Sequence, residues 1–426
     1  MKVIGQRERF GSHLGLERIQ LLCGALGNPQ DHLKCIHVAG TNGKGSVSAF
    51  LARVLAEGGY RVGLFTSPHL EHYSERFQIN GSLIDKGSLE KFVAQGEEAC
   101  LQVEQEHPQL GPVTEFELAT AVSFLYFRES GVDVVVLETG LGGRLDATNV
   151  VHPVLTVITT IGHDHTDRLG TSLKEIAWEK GGIIKADVPV ISGVEPGPAE
   201  AVLQEMASKL GAPWRSTYNL PWEDLGWNLS GGSLSFPGWG QIEVGLLGEH
   251  QIQNAATALL ALQELAQLGW DLPVDAVQRG MAKVRWPGRL EVLSTDPFVI
   301  LDGGHNQEGI AALVRSLRHL QAELGGENFT FVFGMLHNKS LQLLDPLFPL
   351  AKRFVFTTAD SGRLAPMDPK LLVTYAQSHG VEAAAYSAIG QALQDAYASA
   401  PVCICGSLYL AGTVRRFLHA EGVIIG

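Results

Sequence analysis

At 426 residues the chain is long enough for two or three domains at about 150 residues each. Its 45% hydrophobic content supports sizeable cores, and 49 glycines with 19 prolines fall short of the roughly 25–30% share that marks disorder. A formal charge of -13, from 32 basic and 45 acidic residues, argues against a nucleic-acid coat or a binder of anionic membranes, since both need broad positive surface. It leaves anionic small molecules open, because local cations, backbone N–H groups and metal can hold them.

Met1 to Arg9 contains no apolar stretch of signal-peptide length, and no run of about 18 apolar residues occurs, so the cytoplasm is expected. The five cysteines, Cys23, Cys35, Cys100, Cys403 and Cys405, form no CxxC pair, so neither a disulfide framework nor a zinc ribbon is indicated.

In chain order, Ile36 to Ala39 reads as a strand that enters a glycine-rich turn. Ser46 to Gly58 then carries Val47, Phe50, Leu51, Val54 and Leu55 at helical spacing. Val132 to Leu137, Val154 to Ile161 and Val188 to Ser192 read as buried strands. Continuous apolar strands separated by helices predict a parallel sheet covered on both faces. Trp214 to Val244, rich in Trp, Gly, Ser and Asn, predicts a small antiparallel insert. Gln251 to Leu268 reads as a helix. After Trp286-Pro287-Gly288-Arg289 the alternation restarts, with strands expected at Phe298 to Leu301, Phe329 to Phe333, Phe354 to Thr357 and Val402 to Cys405. The expected architecture is therefore α/β: a parallel-sheet domain over 1–294 with its insert, which the glycine-rich turn after Ala39 makes a P-loop ATPase domain, then a second Rossmann-like α/β domain over 295–426.

Gly40-Thr41-Asn42-Gly43-Lys44-Gly45-Ser46 lies between a strand and a helix. Glycines let the backbone point several N–H groups at phosphate oxygens, Lys44 adds charge near the β- and γ-phosphates, and Ser46 opens a helix whose N-terminus favours anions. The run departs from GxxxxGK[ST] by one extra glycine before the hydroxyl. A bare glycine-rich turn needs neither that lysine nor that serine, so nucleotide binding by Asn42 to Ser46 is the expectation. Glu138, at the end of a buried strand, is a second candidate, because a lone carboxylate there is costly unless paired or metal-bound.

Further runs carry a resemblance. Thr66-Ser67-Pro68-His69-Leu70 with Glu75-Arg76 and Asn80-Gly81, Thr114-Glu115-Phe116-Glu117, and above all Glu138 to Asn149 (ETGLGGRLDATN) are similar to the folylpolyglutamate synthase branch of the Mur ligase superfamily. Asp164-His165, Glu179-Lys180, His250-Gln251 with Asn254, Pro287-Gly288-Arg289, Asp302 with His305-Asn306, and Gly406 to Leu410 complete the series in order. Small departures occur at His163, Gly181 and Gly303-Gly304, and a larger one at His337 to Ser340.

The resemblance implies a ligase. ATP converts a folate or dihydropteroate carboxylate to an acyl phosphate, and the amine of L-glutamate displaces phosphate. It implies Ser67, Glu138 and His165 as ligands of magnesium, with two ions expected. Lys180 would be carbamylated by carbon dioxide, which requires a lowered pKa, since an ordinary lysine is neutral only about once in 2,500 at pH 7. Lys44, Lys180, Arg289 and His305 are implied in catalysis. Asn254 is implied at the adenine or phosphates, Arg289 at the γ-phosphate, Asp302 at the ribose, and His305 and Ser407 at glutamate. Arg76, Thr114, Phe116, Gly142, Gly143, Arg144 and Asp146 are implied on the pterin side. A monomer without nucleic-acid or membrane partners is expected. The alternatives are another Mur-type ligase, or a P-loop ATPase switch without ligase chemistry.

Overall fold

The computed structural model describes Arg7, residues 15–358 and residues 364–422. The chain divides into two compact units. The first comprises Met1–Leu225, Ser233–Gly245 and Gln251–Val284, and the second Gly226–Gly232, Leu246–His250 and Arg285–Gly426.

The first unit is built on strands β1 (Cys35–Ala39), β2 (Val62–Phe65), β3 (Phe77–Ile79), β4 (Ser82–Leu83), β5 (Val134–Glu138), β6 (Leu155–Ile158), β7 (Val190–Ser192) and β8 (Trp214–Ser216), in sheet order β4-β3-β2-β5-β1-β6-β7-β8. From β2 to β8 neighbours run parallel. Every residue of β1 and β5 is buried, as continuous apolar runs require when helices cover both faces. Helices α1 (Glu17–Ala25), α2 (Lys44–Glu57), α3 (Lys86–Glu106), α4 (Glu115–Glu129), α5 (Thr166–Leu169), α6 (Leu173–Gly181) and α7 (Pro198–Lys209) connect the strands. One core joins Ile19, Phe65, Phe77, Phe92, Phe124, Phe127 and Leu137. Helices α8 (Glu249–Gln267) and α9 (Val274–Lys283) follow, and α8 is buried continuously from Asn254 to Leu262.

Two differences from the sequence reading have local causes. The edge strands β3 and β4 form an antiparallel hairpin about Asn80 (φ 50°) and Gly81 (φ 79°). Asn-Gly is the pair that tolerates two positive φ values in a tight hairpin turn. The expected insert starts later than Trp214, because Trp214 to Ser216 pairs parallel with β7 as an edge strand of the large sheet. Only β9 (Glu223–Asn228), β10 (Gly231–Phe236) and β11 (Gly240–Val244) make the separate three-stranded sheet.

The second unit carries a six-stranded sheet of β12 (Glu291–Thr295), β13 (Phe298–Leu301), β14 (Phe329–Phe333), β15 (Ala351–Phe356), β16 (Ala383–Ala385) and β17 (Val402–Cys405), in order β12-β13-β17-β14-β15-β16. All pairs are parallel except β12 with β13. Position 295, the boundary expected from sequence, falls at the end of β12 and therefore inside this hairpin. Helices α10 (Gln307–Glu323), α11 (Pro369–Ser378), α12 (Ile389–Tyr397) and α13 (Leu408–Ala420) flank the sheet, over a core of Phe329, Phe331, Phe333, Phe354 and Phe356. All five cysteines are buried thiols. Among the described residues, no helix is long and apolar enough to cross a membrane.

Candidate active site

Because β5, β1 and β6 are parallel neighbours, the loops that leave their carboxyl ends collect at one edge of the sheet. Ligands of open α/β sheets bind outside those ends, where the strand order reverses. The loop after β1 is pinned to the loop after β6. The Asn42 carbonyl accepts the hydroxyls of Thr159 at 2.6 Å and Thr160 at 3.0 Å, and the Thr41 hydroxyl exchanges hydrogen bonds with the Gly162 backbone at 3.0 and 3.1 Å. Gly43, at φ 83°, opens α2, and a Cβ there would stand 2.3 Å from Asn254 Oδ1. Asn254 thus packs beneath the loop, held by Gln251.

Gly40 has φ 153°, and a Cβ on it would lie 1.9 Å from the Thr159 hydroxyl that holds Asn42. Gly40→Ala is therefore expected to break that pin. It should cost about 1–3 kcal/mol of stability in a urea melt and weaken ADP binding measured by calorimetry, whereas unchanged ADP affinity would show that the pin does not shape the loop.

Two lysines meet on one carbonyl. Lys44 Nζ donates to Gly40 O at 3.0 Å and to Thr41 O at 3.2 Å, and Lys180 Nζ donates to the same Gly40 O at 2.8 Å. Lys180 is buried on the last turn of α6. Burial, and then the Lys44 charge, push its pKa down from 10.5 to about 7. The pair makes a cationic centre at the carboxyl edge, suited to an anion.

Glu138 ends β5 directly opposite Val38, 4% exposed, and its Oε2 accepts the Ser67 N–H at 3.1 Å. The structure thus brings Ser67 and Glu138 together. His165 lies in an exposed stretch at φ 51°, where it precedes α5 and donates its N–H to Asp164. Among the described residues no three His, Cys, Asp or Glu side chains form a metal-holding group. Magnesium does not require one, since it takes one or two carboxylates and fills its octahedron with substrate phosphates and water. A carboxylate held against Ser67, on the strand beside the one that enters the phosphate loop, fits that habit.

Residues 139–149 clamp the helix end that bears Lys180. A Cβ on Gly143 would stand 2.6 Å from Lys180 O, and one on Gly182 would stand 2.3 Å from Arg144 Cβ. Arg144 N–H donates to Glu179 O at 2.7 Å, its guanidinium pairs with the Glu179 carboxylate at 2.9 Å, and it lies 4.5 Å from the Trp178 ring. Asn149 Nδ2 bridges Arg144 O and Gly182 O. Asp146 is buried and holds the turn by accepting N–H groups of Leu141 and Thr148, while burial raises its pKa. Gly142 turns at φ 70° against Leu169. The departure at Gly181 has a packing reason, because Met206 and Leu203 occupy the space a Cβ would need.

Thr114 caps α4 in a reciprocal box with Glu117, and Phe116 lies against Gly140, where a Cβ would come within 2.5 Å of its ring. Arg76 is paired with Glu115 at 3.0 Å. Gly45 and Ser46 fall in the first turn of α2, with Ser46 buried.

In the second unit, Asp302 accepts the N–H groups of Leu290 at 2.9 Å and Gly304 at 2.7 Å. Arg289 Nη1 donates to Gly288 O, and His305 donates Nδ1–H to Gly303 O at 3.0 Å. Ser407 caps α13 through Tyr409 N–H. His250, to which the sequence reading assigns no role, is half-buried in this unit. Burial pushes its pKa down while Asp302 opposes the shift. Sequence reasoning also misses Thr159 and Thr160, although a Thr-Thr pair at the end of a buried strand is the available signal.

Two Mur ligase families match this chain: the middle domain over residues 38–262, and the glutamate ligase domain over residues 288–408. The Bacillus subtilis dihydrofolate synthase/folylpolyglutamate synthase is 38% identical over 373 residues, covering 84% of each chain. The chain belongs to the folylpolyglutamate and dihydrofolate synthase family of the Mur ligases. A Mycobacterium tuberculosis folylpolyglutamate synthase complexed with ADP and AMPPCP superposes with a TM-score of 0.87 at 31% identity, over 98% of this chain and 96% of that one. The Escherichia coli member, in complex with DHPP and ADP, superposes at 0.84 and 29% identity over 99% and 98%. A folylpolyglutamate synthase is a ligase, and the glutamate ligase match over the second sheet leaves no support for a bare ATPase switch.

Proposed function

We propose that this ligase joins L-glutamate to tetrahydrofolate, and also to dihydropteroate, in an ATP- and magnesium-dependent reaction in the cytoplasm, acting as a monomer. The observation that carries the reading is the convergence of Lys44 and Lys180 on Gly40 O in a loop that follows β1, one strand away from Glu138. Relatives of this chain bear both activity names, and one related structure holds DHPP with ADP.

A carboxylate and a triphosphate repel one another, so the site must first neutralise them. Lys44 and the N–H groups of Asn42 to Ser46 take the β- and γ-phosphates, Asn254 supports the loop, Arg289 meets the γ-phosphate and Asp302 the ribose. Ser67 and Glu138, with His165, would hold magnesium, two ions in all, and the metal supplies charge neutralisation at the transferring phosphoryl. The substrate carboxylate takes the γ-phosphoryl to give an acyl phosphate and ADP. The glutamate amine, oriented by His305 and Ser407, then attacks the acyl carbon, and phosphate leaves. Thr114, Phe116, Arg144 and Asp146, with Gly142 and Gly143, serve the pterin side.

Lys180, half neutral near pH 7, is proposed to add carbon dioxide and release a proton, turning a repelled ammonium into an anionic carbamate. Mass spectrometry of gently handled protein should show a gain of one carbon dioxide, lost as pH falls below about 7; an unmodified Lys180 in a nucleotide-bound crystal counts against it.

The function is tested with purified protein, ATP, magnesium and labelled glutamate, offered dihydropteroate and tetrahydrofolate separately. Labelled amide and stoichiometric phosphate are expected with each. ATP hydrolysis indifferent to both acceptors and to glutamate would refute the ligase reading, and product with tetrahydrofolate alone would remove the dihydropteroate activity.

A further inference from the structure

Ser67 lies in a segment, residues 66–72, that belongs to neither helix nor strand. Two adjacent charged residues hold it. The Glu75 carboxylate accepts the backbone N–H groups of Leu70 at 2.7 Å, Glu71 at 2.9 Å and His72 at 2.7 Å. The Arg76 carbonyl accepts Thr66 N–H at 3.3 Å, and its Nε donates to His69 Nδ1 at 3.2 Å. Its Nη1 donates to Glu115 Oε1 at 3.0 Å, and the Tyr73 hydroxyl donates to the same oxygen at 2.5 Å. The guanidinium lies 4.7 Å over the Tyr73 ring, and the side chains of Arg76 and Glu115 are 5% and 2% exposed. At its start, the segment meets Glu138 through Ser67 N–H.

An arginine neutralised by a buried carboxylate is poorly placed to recruit an anionic substrate, because a new anion would have to displace Glu115. Its fork instead joins α4, through Glu115, to the middle of the segment, through His69. Glu75 gathers three N–H groups that the irregular backbone would otherwise leave to water.

The geometry points to Arg76, with Glu75 and Glu115, as a positioning residue that sets Ser67 against Glu138, and not as a contact for the folate substrate. This rests on the reading that Ser67 and Glu138 hold the metal. Arg76 then acts on metal affinity while leaving the affinity for folate alone.

The test uses the full chain with ADP, titrated with Mn2+ as an oxygen-seeking stand-in for magnesium, and follows the loss of the free-ion electron paramagnetic resonance signal. Arg76→Lys keeps a charge for Glu115 but lacks the fork that also reaches His69. Glu75→Gln removes the charge that gathers the N–H groups and leaves the buried ion pair intact. Each is expected to raise the Mn2+ dissociation constant roughly 10–100-fold, the usual effect of a partner behind a metal ligand, with KM for tetrahydrofolate within about twofold of wild type. A raised KM with unchanged Mn2+ affinity would make Arg76 a substrate contact and overturn the proposal, as would variants that change neither. Glu138→Ala separates the two layers. If it binds Mn2+ as wild type does, the metal assignment fails; if it alone loses Mn2+, only the positioning role fails.

Discussion

Glu138→Gln is expected to slow amide formation at least about 10³-fold at saturating substrates, while leaving the melting temperature nearly unchanged. The amide has the same shape as the carboxylate, and its oxygen still accepts the Ser67 N–H that Glu138 Oε2 accepts at 3.1 Å. The negative charge is lost, and one acceptor oxygen becomes a donor NH2. If Glu138 merely anchored the Ser67 segment, an amide would do so nearly as well, since a hydrogen bond to a charged group contributes about 1.5–3 kcal/mol against about 1 for a neutral one. The rate would then fall by a small factor. If the charge holds a metal against the triphosphate, no isostere replaces it. Glu138→Ala should lose the same activity and also some stability, because Ser67 N–H is then unpaired. A Glu138→Gln protein that kept a tenth of the normal rate would sink the metal role.

What was legible in the sequence follows from where the determining forces are local. β1, β5, β13, β14 and β17 read correctly to within a residue or two, since strands buried on both faces are near-continuous apolar runs. β8 did not, because Trp214-Arg215-Ser216 is three mixed residues whose strand state is set by pairing with β7. β3 and β4 carry a local signal, the Asn80-Gly81 turn, but strands of three and two residues are too short to show a period. In the site, Lys44 is legible from spacing and Glu138 from its place at a strand end. The environment of Lys180 is not, since the carbonyl it shares with Lys44 belongs to Gly40, 140 positions earlier. Likewise the partner of Arg76, Glu115, is 39 positions away. Spacing names which groups can do chemistry, and the tertiary packing decides which of them touch.

Lys180→Met is expected to lose amide formation about 10²–10³-fold and yet to make the folded protein more stable in carbon-dioxide-free buffer at pH 6. Wild-type Lys180 is buried beside Lys44, and its pKa falls from 10.5 in an exposed chain to about 7 in the fold. Below pH 7 both states carry the proton, so the fold bears the full penalty of the buried ammonium. Between about 7 and 10.5 the unfolded chain binds a proton that the folded one does not, so wild-type stability rises with pH across that window. At about 1.4 kcal/mol per pKa unit, the relief amounts to a few kcal/mol. Methionine has no proton to hold and similar length, so the variant should melt at higher urea at pH 6, and its advantage should narrow towards pH 10. Carbon dioxide should narrow it as well, at pH 8, because only the wild-type amine can become the carbamate that Lys44 attracts. A variant less stable than wild type at pH 6 would mean that the hydrogen bond to Gly40 O outweighs the repulsion between the two lysines. The cationic centre would then be an ordinary structural anchor, not a group held under tension for chemistry.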